Sequence, residues 1–229
     1  MQNARCRIWG RFECMVRYAL CVAVITMYGA RPAFAQEAPP RIGPFALDVH
    51  GVVPRFGDDP QLAASRGLSQ AELPGSGLGL SAAAHVYLPK IAGITVGLGG
   101  EVIIGRSSAS PDTSGSTTPT LRSVTETFKE ISPQLSLNFG NGHGWSYLSA
   151  GIGRAMWSIV PEGKSPLPAD EEVLRVINYG GGARWFAKKH LAFSLDVRMY
   201  EIAEGTPQLS TFGSPRTVLL VIGAGISVK

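Results

Sequence analysis

The chain has 229 residues, with 28 Gly, 16 Pro and only 17% charged residues. That is one domain of moderate size, too apolar for a disordered tail and too rich in Gly for a helical bundle. The formal net charge is +4, but five Arg and one Glu within the first 35 residues account for all of it, and the remainder carries 16 bases and 16 acids, which excludes a basic face for nucleic acid. Cys6, Cys14 and Cys21 also lie in that leader. The rest of the chain therefore holds no disulfide scaffold and no cysteine-based metal or catalytic site.

The leader reads as an export signal. Arg11 and Arg17 precede the apolar run Tyr18–Ala30, and Ala33-Phe34-Ala35 forms a small-x-small cleavage signature before Gln36. The run is too short for a membrane-spanning helix, which needs about 20 residues. Met15 offers a second start, Met15-Val16-Arg17, closer to the apolar run. Cys21 follows Leu20 rather than a small residue, so no lipid anchor is predicted. Residues 1–35 are assigned to a cleaved signal peptide and 36–44 to a periplasmic lead-in.

From residue 45 onward the period is two. Phe45, Leu47 and Val49 oppose Asp48 and His50. Ile94, Val96, Leu98, Val102 and Ile104 oppose Thr95, Gly97, Gly99 and Glu101. Ile131, Leu135, Leu137 and Phe139 oppose Ser132, Gln134, Ser136 and Asn138. Leu191, Phe193, Leu195, Val197 and Met199 oppose Ala192, Ser194, Asp196, Arg198 and Tyr200. Eight strands are predicted, at about 45–53, 78–88, 92–105, 124–139, 145–159, 172–186, 190–202 and 216–228. Pro133 removes a ladder donor, so a bulge or a later strand start is expected there. Arg154 and Arg175 fall on the apolar face and are expected near its edge, where long side chains snorkel.

The connections alternate. Residues 54–77, 106–123, 160–171 and 203–215 are long and rich in Ser, Thr, Pro, Gly and Asp. Pro89-Lys90-Ile91, Gly140–Gly144 and Ala187-Lys188-Lys189 are tight. Long loops at one end and short turns at the other are the pattern of a membrane barrel. The aromatics suggest two belts: Phe45, Tyr87, Phe139, Trp145, Tyr147, Trp185, Phe186 and Phe193 towards the turns, and Phe128, Trp157 and Tyr200 towards the loops. Strands of this length cross an apolar layer when tilted, and in lipid such a sheet must close on itself. Residues 45–229 are therefore predicted to form an all-β, eight-stranded antiparallel up-and-down transmembrane β-barrel.

The inward set then becomes a candidate site. Asp48, His50, His85, Glu101, Glu130, Arg184, Asp196 and Arg198 should form a paired polar network, because an unpaired buried charge is costly. Eight strands leave an interior just wide enough to be filled by side chains, so a plug is expected rather than a channel. No catalytic, cofactor or metal residues are assigned. His50, His85, Asp48 and Glu101 show no local nucleophile-and-base motif, and no third metal ligand is evident.

The stretch Asn178–Phe186, with Lys188-Lys189-His190 and Leu191–Arg198, together with Tyr147–Gly153, resembles the small eight-stranded outer-membrane barrels, the OmpA/OmpX-like group. The resemblance implies a location in the bacterial outer membrane, contact with outer-membrane lipid and lipopolysaccharide, and handling by periplasmic chaperones and the barrel assembly machinery. Gly223, Ile226 and Val228 match the group's C-terminal assembly signal with aliphatic residues in place of an aromatic. The implied role is non-enzymatic, structural or surface-interacting through four extracellular loops. A small porin, a lipid A-modifying enzyme and a soluble lipocalin-type barrel are the alternatives.

Overall fold

Each of the eight predicted segments forms one strand in the computed structural model, which describes residues 40–57, 59–109, 123–207 and 213–229. The leader, the cleavage position before Gln36 and most of the second long loop lie outside the described residues. The strands are β1 (Phe45–Arg55), β2 (Leu78–Tyr87), β3 (Ile94–Ala109), β4 (Val124–Asn141), β5 (Gly144–Pro161), β6 (Val173–Phe186), β7 (Leu191–Ile202) and β8 (Thr217–Val228). Every strand pairs antiparallel with its neighbour in sequence, and β8 pairs with β1, closing the barrel. Two short helices, α1 (Pro60–Ser65) and α2 (Pro168–Glu171), sit in long loops.

The register fixes the barrel's shape. From Phe45 the direct partners run Val86, Leu98, Leu135, Ala150, Tyr179, Met199 and Leu220, and Leu220 pairs with Arg55. One circuit therefore returns to β1 ten residues further along. An offset of ten on eight strands corresponds to a tilt of roughly 40°. At about 3.3 Å per residue, each residue then climbs about 2.5 Å along the axis.

The two faces separate by chemistry. The outward positions carry Leu, Val, Ile, Ala and Phe, and several are more than half exposed: Leu80 61%, Leu148 60%, Ile152 62% and Phe193 66%. The inward positions carry Asp48, His85, Glu101, Gln134, Asn178 and Arg184, all buried. A soluble barrel has the reverse arrangement, so the outer surface is suited to lipid. Carrying each outward residue round the register places Phe45, Phe139, Trp185 and Phe193 within about 4 Å of one level at the turn end. Arg55, Arg106, Lys129, Arg154, Arg175 and Glu201 fall within about 4 Å of another level at the loop end. The levels are about 25 Å apart, the height of an outer-membrane apolar band. Among the described residues no charged side chain faces outward between them.

Two expectations are corrected. Pro133 stays in strand: β4 holds one register against β5 on both sides of it, with no bulge, and only the ladder pairs at Ser132 and Pro133 are missing. Among the described residues the expected loop-end aromatic belt is absent. Phe128, Trp157 and Tyr200 point inward and are 0%, 3% and 1% exposed. At the turn end Tyr87, Trp145, Tyr147 and Phe186 also pack inward, leaving Phe45, Phe139, Trp185 and Phe193 as the lipid-facing rings.

The turn between β2 and β3 uses local chemistry. Ala92 (φ 50°) and Gly93 (φ 90°) both adopt left-handed backbone between β2 and β3, the pattern of a two-residue hairpin turn. Leu195 lies in mid-band with 51% exposure. Leu195→Arg should cost roughly 2–4 kcal/mol of folding free energy in lipid. Urea titration of refolding into vesicles measures it, and a variant as stable as the parent would refute the lipid-facing assignment.

Candidate functional site: the barrel interior and its mouth

The interior is layered from the turn end upward. At the bottom Ala46, Trp145 and Tyr147 form a buried cluster, against which Ile42, Tyr87 and Phe186 pack. Trp145 stacks on Phe186 at 5.0 Å between ring centroids and meets Tyr87 edge-on at 5.8 Å. The Lys229 ammonium lies 3.8 Å from the Phe186 centroid and donates to the Gly142 carbonyl. Partial burial lowers the pKa of this lysine. The lead-in segment ties to the same end, with Gly142 N–H donating to Pro40 at 2.6 Å and Tyr87 N–H to Pro44 at 2.8 Å.

Above this floor sits the first ion pair. Arg184 of β6 grips Asp48 of β1 with two bonds, Nε to Oδ1 at 2.8 Å and Nη2 to Oδ2 at 2.6 Å. The Ser227 hydroxyl also donates to Asp48. The guanidinium lies 4.1 Å from the Tyr147 centroid, close enough for cation–π attraction. His85 Nδ1 is 4.0 Å from Asp48, beyond hydrogen-bond reach, and neither ring nitrogen has a hydrogen-bond partner among the described residues. His50 Nε2 lies 2.7 Å from the Ser194 hydroxyl, over Gly225 of the intervening strand β8.

The second layer centres on Arg198. Its Nε is 3.2 Å from Glu101, and its Nη2 is 3.2 Å from Asp196 and donates to Ser149 at 2.8 Å. Glu101 also accepts from Gln134 at 2.7 Å and from the Tyr200 hydroxyl at 2.5 Å. Asp196 accepts from the Tyr147 hydroxyl at 2.6 Å. Asn178 links Arg198, Glu130 and Ser132, donating to Glu130 at 2.9 Å and to Ser132 at 2.7 Å. Thus Asp48, Arg184 and His85 lie in the lower layer, while Glu101, Glu130, Asp196 and Arg198 lie in the upper one. His50 bonds to Ser194 instead of joining either ion pair. Sequence reasoning missed that pair because the two residues stand 144 positions apart.

The loop end is closed by apolar packing. Phe56, Leu62, Leu68 and Leu73 from the first long loop are buried with Phe128, Trp157, Tyr200 and Leu219 from the strands. The described part of the first long loop, residues 56–57 and 59–77, is therefore a folded plug and not simply a polar loop. A buried clamp holds it. Arg66 Nε pairs with Asp170 at 2.8 Å, each side chain 1% exposed, and Arg66 Nη2 donates to Ser214 at 2.7 Å. Asp170 also accepts from the backbone N–H of Ile159 at 3.0 Å and of Leu167 at 2.8 Å. This ties the first, third and fourth long loops together. The sequence signal was present in the apolar residues Leu62, Leu68 and Leu73 amid polar ones, but a loop's long-range partners cannot be read from spacing.

No side-chain group in the described residues has the makeup of a metal site. Gly223 faces inward, whereas Ile226 and Val228 face outward, 47% and 39% exposed.

No family model and no curated protein matches the chain. Its fold is similar to several solved structures. Neisserial surface protein A is 13% identical with a TM-score of 0.48, covering 81% of this chain and 95% of that one. Ail, the attachment invasion locus protein of Yersinia pestis, solved with the heparin analogue sucrose octasulfate, is 12% identical with a TM-score of 0.46, covering 80% and 97%. The outer membrane protein OprG from Pseudomonas aeruginosa is 13% identical with a TM-score of 0.46, covering 83% and 97%. At these identities the likeness is one of fold alone.

Removing one member of a buried ion pair leaves the other uncompensated, at a cost of roughly 3–5 kcal/mol. Arg184→Met should destabilise the barrel by about that amount, and adding Asp48→Asn should recover most of it. Urea-induced unfolding of the single and double variants from vesicles measures the coupling. Additive losses would show that the pair contributes little.

Proposed function

We propose that the chain is a non-enzymatic barrel protein of the bacterial outer membrane, acting as a scaffold and a surface-interaction element through the loops at its mouth. The observation that carries this reading is the combination of an apolar outer band with a filled interior. The band, about 25 Å tall, fits a bilayer, and the packed ion pairs and apolar plug leave the long-loop end as the place for contact with other molecules. Loops on a rigid scaffold are where such barrels bind.

The orientation follows from the even strand number. Phe45 and Val228 lie at the same end as the short turns. In our reading this end faces the periplasm and the clamped loops face outward. Ile226 and Val228, on the outward face of β8, together with Gly223, are offered as the assembly signal. The porin alternative is disfavoured by the plug of Phe56, Leu62, Phe128 and Trp157 across the mouth. The lipid-modifying alternative gains a serine–histidine contact, yet His50 and Ser194 are 5% and 2% exposed inside the barrel, away from the outer face where acyl chains would lie.

Two measurements test the proposal. Ser165 is exposed in the loop between β5 and β6, and Lys189 is exposed in a short turn. On intact cells Ser165→Cys should react with an impermeant thiol reagent, whereas Lys189→Cys should react only after the outer membrane is opened. In planar bilayers the purified parent should give no discrete conductance steps. Reversed labelling would refute the orientation, and steady ion channels would favour the porin reading.

A further inference from the structure

Arg154 of β5 and Arg175 of β6 are direct register partners on the outer face. Residues opposed in this way hold their Cβ atoms about 4.5–5.5 Å apart, where like charges repel. Lys129 of β4 stands beside them, since it pairs with Met156 while Ile131 pairs with Arg154. All three basic residues are exposed. None of the three side chains has an ion-pair or hydrogen-bond partner among the described residues. The outward acid at this level, Glu201, is already engaged by Arg216 at 3.0 Å and by the Tyr179 hydroxyl at 3.1 Å. Three cations thus gather at the upper boundary of the apolar band without a counter-ion among the described residues.

The surface below them has a matching feature. Ala82, Ala84, Gly100 and Pro133 thin the outer wall, and with Val102 and Ile131 they line a groove of about 710 Å³. Ile131 and Pro133 are the next outward residues after Lys129 on β4, so the groove begins next to the basic cluster. It crosses the strands obliquely, two outward residues on each, from Ile131 and Pro133 on β4 to Val49 and Leu47 on β1.

The geometry points to a bound phosphorylated lipid of the outer leaflet, its phosphates bridging Lys129, Arg154 and Arg175 and one acyl chain lying in the groove. This rests on the membrane reading above. Phosphate oxygens match the fork of a guanidinium, and a single phosphate group between Arg154 and Arg175 turns their repulsion into two attractions. Neighbouring Ile152, Met156, Val173 and Ile177 place these charges at the edge of an apolar surface, where headgroups lie.

The test presents the detergent-folded protein with three probes: diphosphorylated lipid A, the same lipid stripped of its phosphates, and inorganic phosphate. Native mass spectrometry counts the lipid retained, and heat-modifiable gel mobility reports folding in the same samples. The parent should retain diphosphorylated lipid A, and R154Q/R175Q should retain it about 30-fold less. R154K/R175K should hold most of it, and phosphate-free lipid should bind weakly and equally to all. Should R154Q/R175Q fail to fold, K129Q decides the matter with a loss of about five-fold. Equal retention by parent and folded variant, or indifference to the lipid's phosphates, overturns the inference. Displacement by equimolar inorganic phosphate overturns it too, because the site would then be one for the free ion. If the parent reaches its folded mobility without detergent or lipid, the membrane reading itself fails, and this inference with it.

Discussion

A backbone placed in hydrocarbon has no water to satisfy it, so every strand in such a setting needs a partner on both sides. Here β8 provides the last partner by returning to β1, and it does so with an offset of ten residues. That offset governs much else. It tilts the strands by roughly 40° and sets the height gained per residue. It brings Phe45, Phe139, Trp185 and Phe193 to one level although they come from β1, β4, β6 and β7. A different offset would scatter these rings and break the continuous apolar band. Closure also limits the lumen to a width that side chains can fill.

Filling that lumen with charge is a severe demand, met by making each charge part of a network. Arg184 and Asp48 satisfy each other twice, and Arg198 is surrounded by Glu101, Asp196, Asn178 and Ser149. Room for the long side chains comes from positions where a side chain is missing. A Cβ on Gly182 would stand 2.6 Å from the Tyr147 hydroxyl oxygen, so this glycine allows Tyr147 to reach Asp196 and to lie under Arg184. The polar layers give way to an apolar one at Phe128 and Tyr200, which meet edge to face with centroids 5.4 Å apart. From there upward the barrel resembles the core of a soluble domain, held by a loop that folds back over its own mouth.

The strands and their faces were legible because period two runs without a slip through segments such as Leu191–Met199, and Ser194 and Leu195 fall on opposite sides accordingly. The inward charged set was legible for the same reason. The loop-end aromatics were misread. Strand parity places Phe128 inside with Glu126 and Glu130, and it prevails over the preference of rings for headgroup levels. Pro133 was overestimated as a break, since losing the ladder pairs at Ser132 and Pro133 leaves the register intact. The Arg66–Asp170 clamp and the His50–Ser194 contact were not legible. Each joins residues more than a hundred positions apart, and only closure of the sheet or folding of a loop brings them together.

The two boundaries of the apolar band are built differently, and strand alternation explains how. At the turn end, rings occupy both faces: Trp185 outward and Phe186 inward are adjacent residues. At the loop end the large rings are committed to the plug, as Phe128 and Trp157 share a buried cluster with Phe56 and Leu62. Their outward neighbours are therefore free to be something else, and the chain places long bases there. Lys129 follows Phe128, and Arg154 comes just before the buried Ala155. One stretch of strand thus seals the mouth with its inner face and presents positive charge with its outer face. Snorkelling makes this tolerable, because an aliphatic stem can lie along the band while its charged head stays at the polar boundary. The asymmetry also gives the barrel a direction: an aromatic boundary marks the end of the short turns, and a basic one marks the end of the clamped loops.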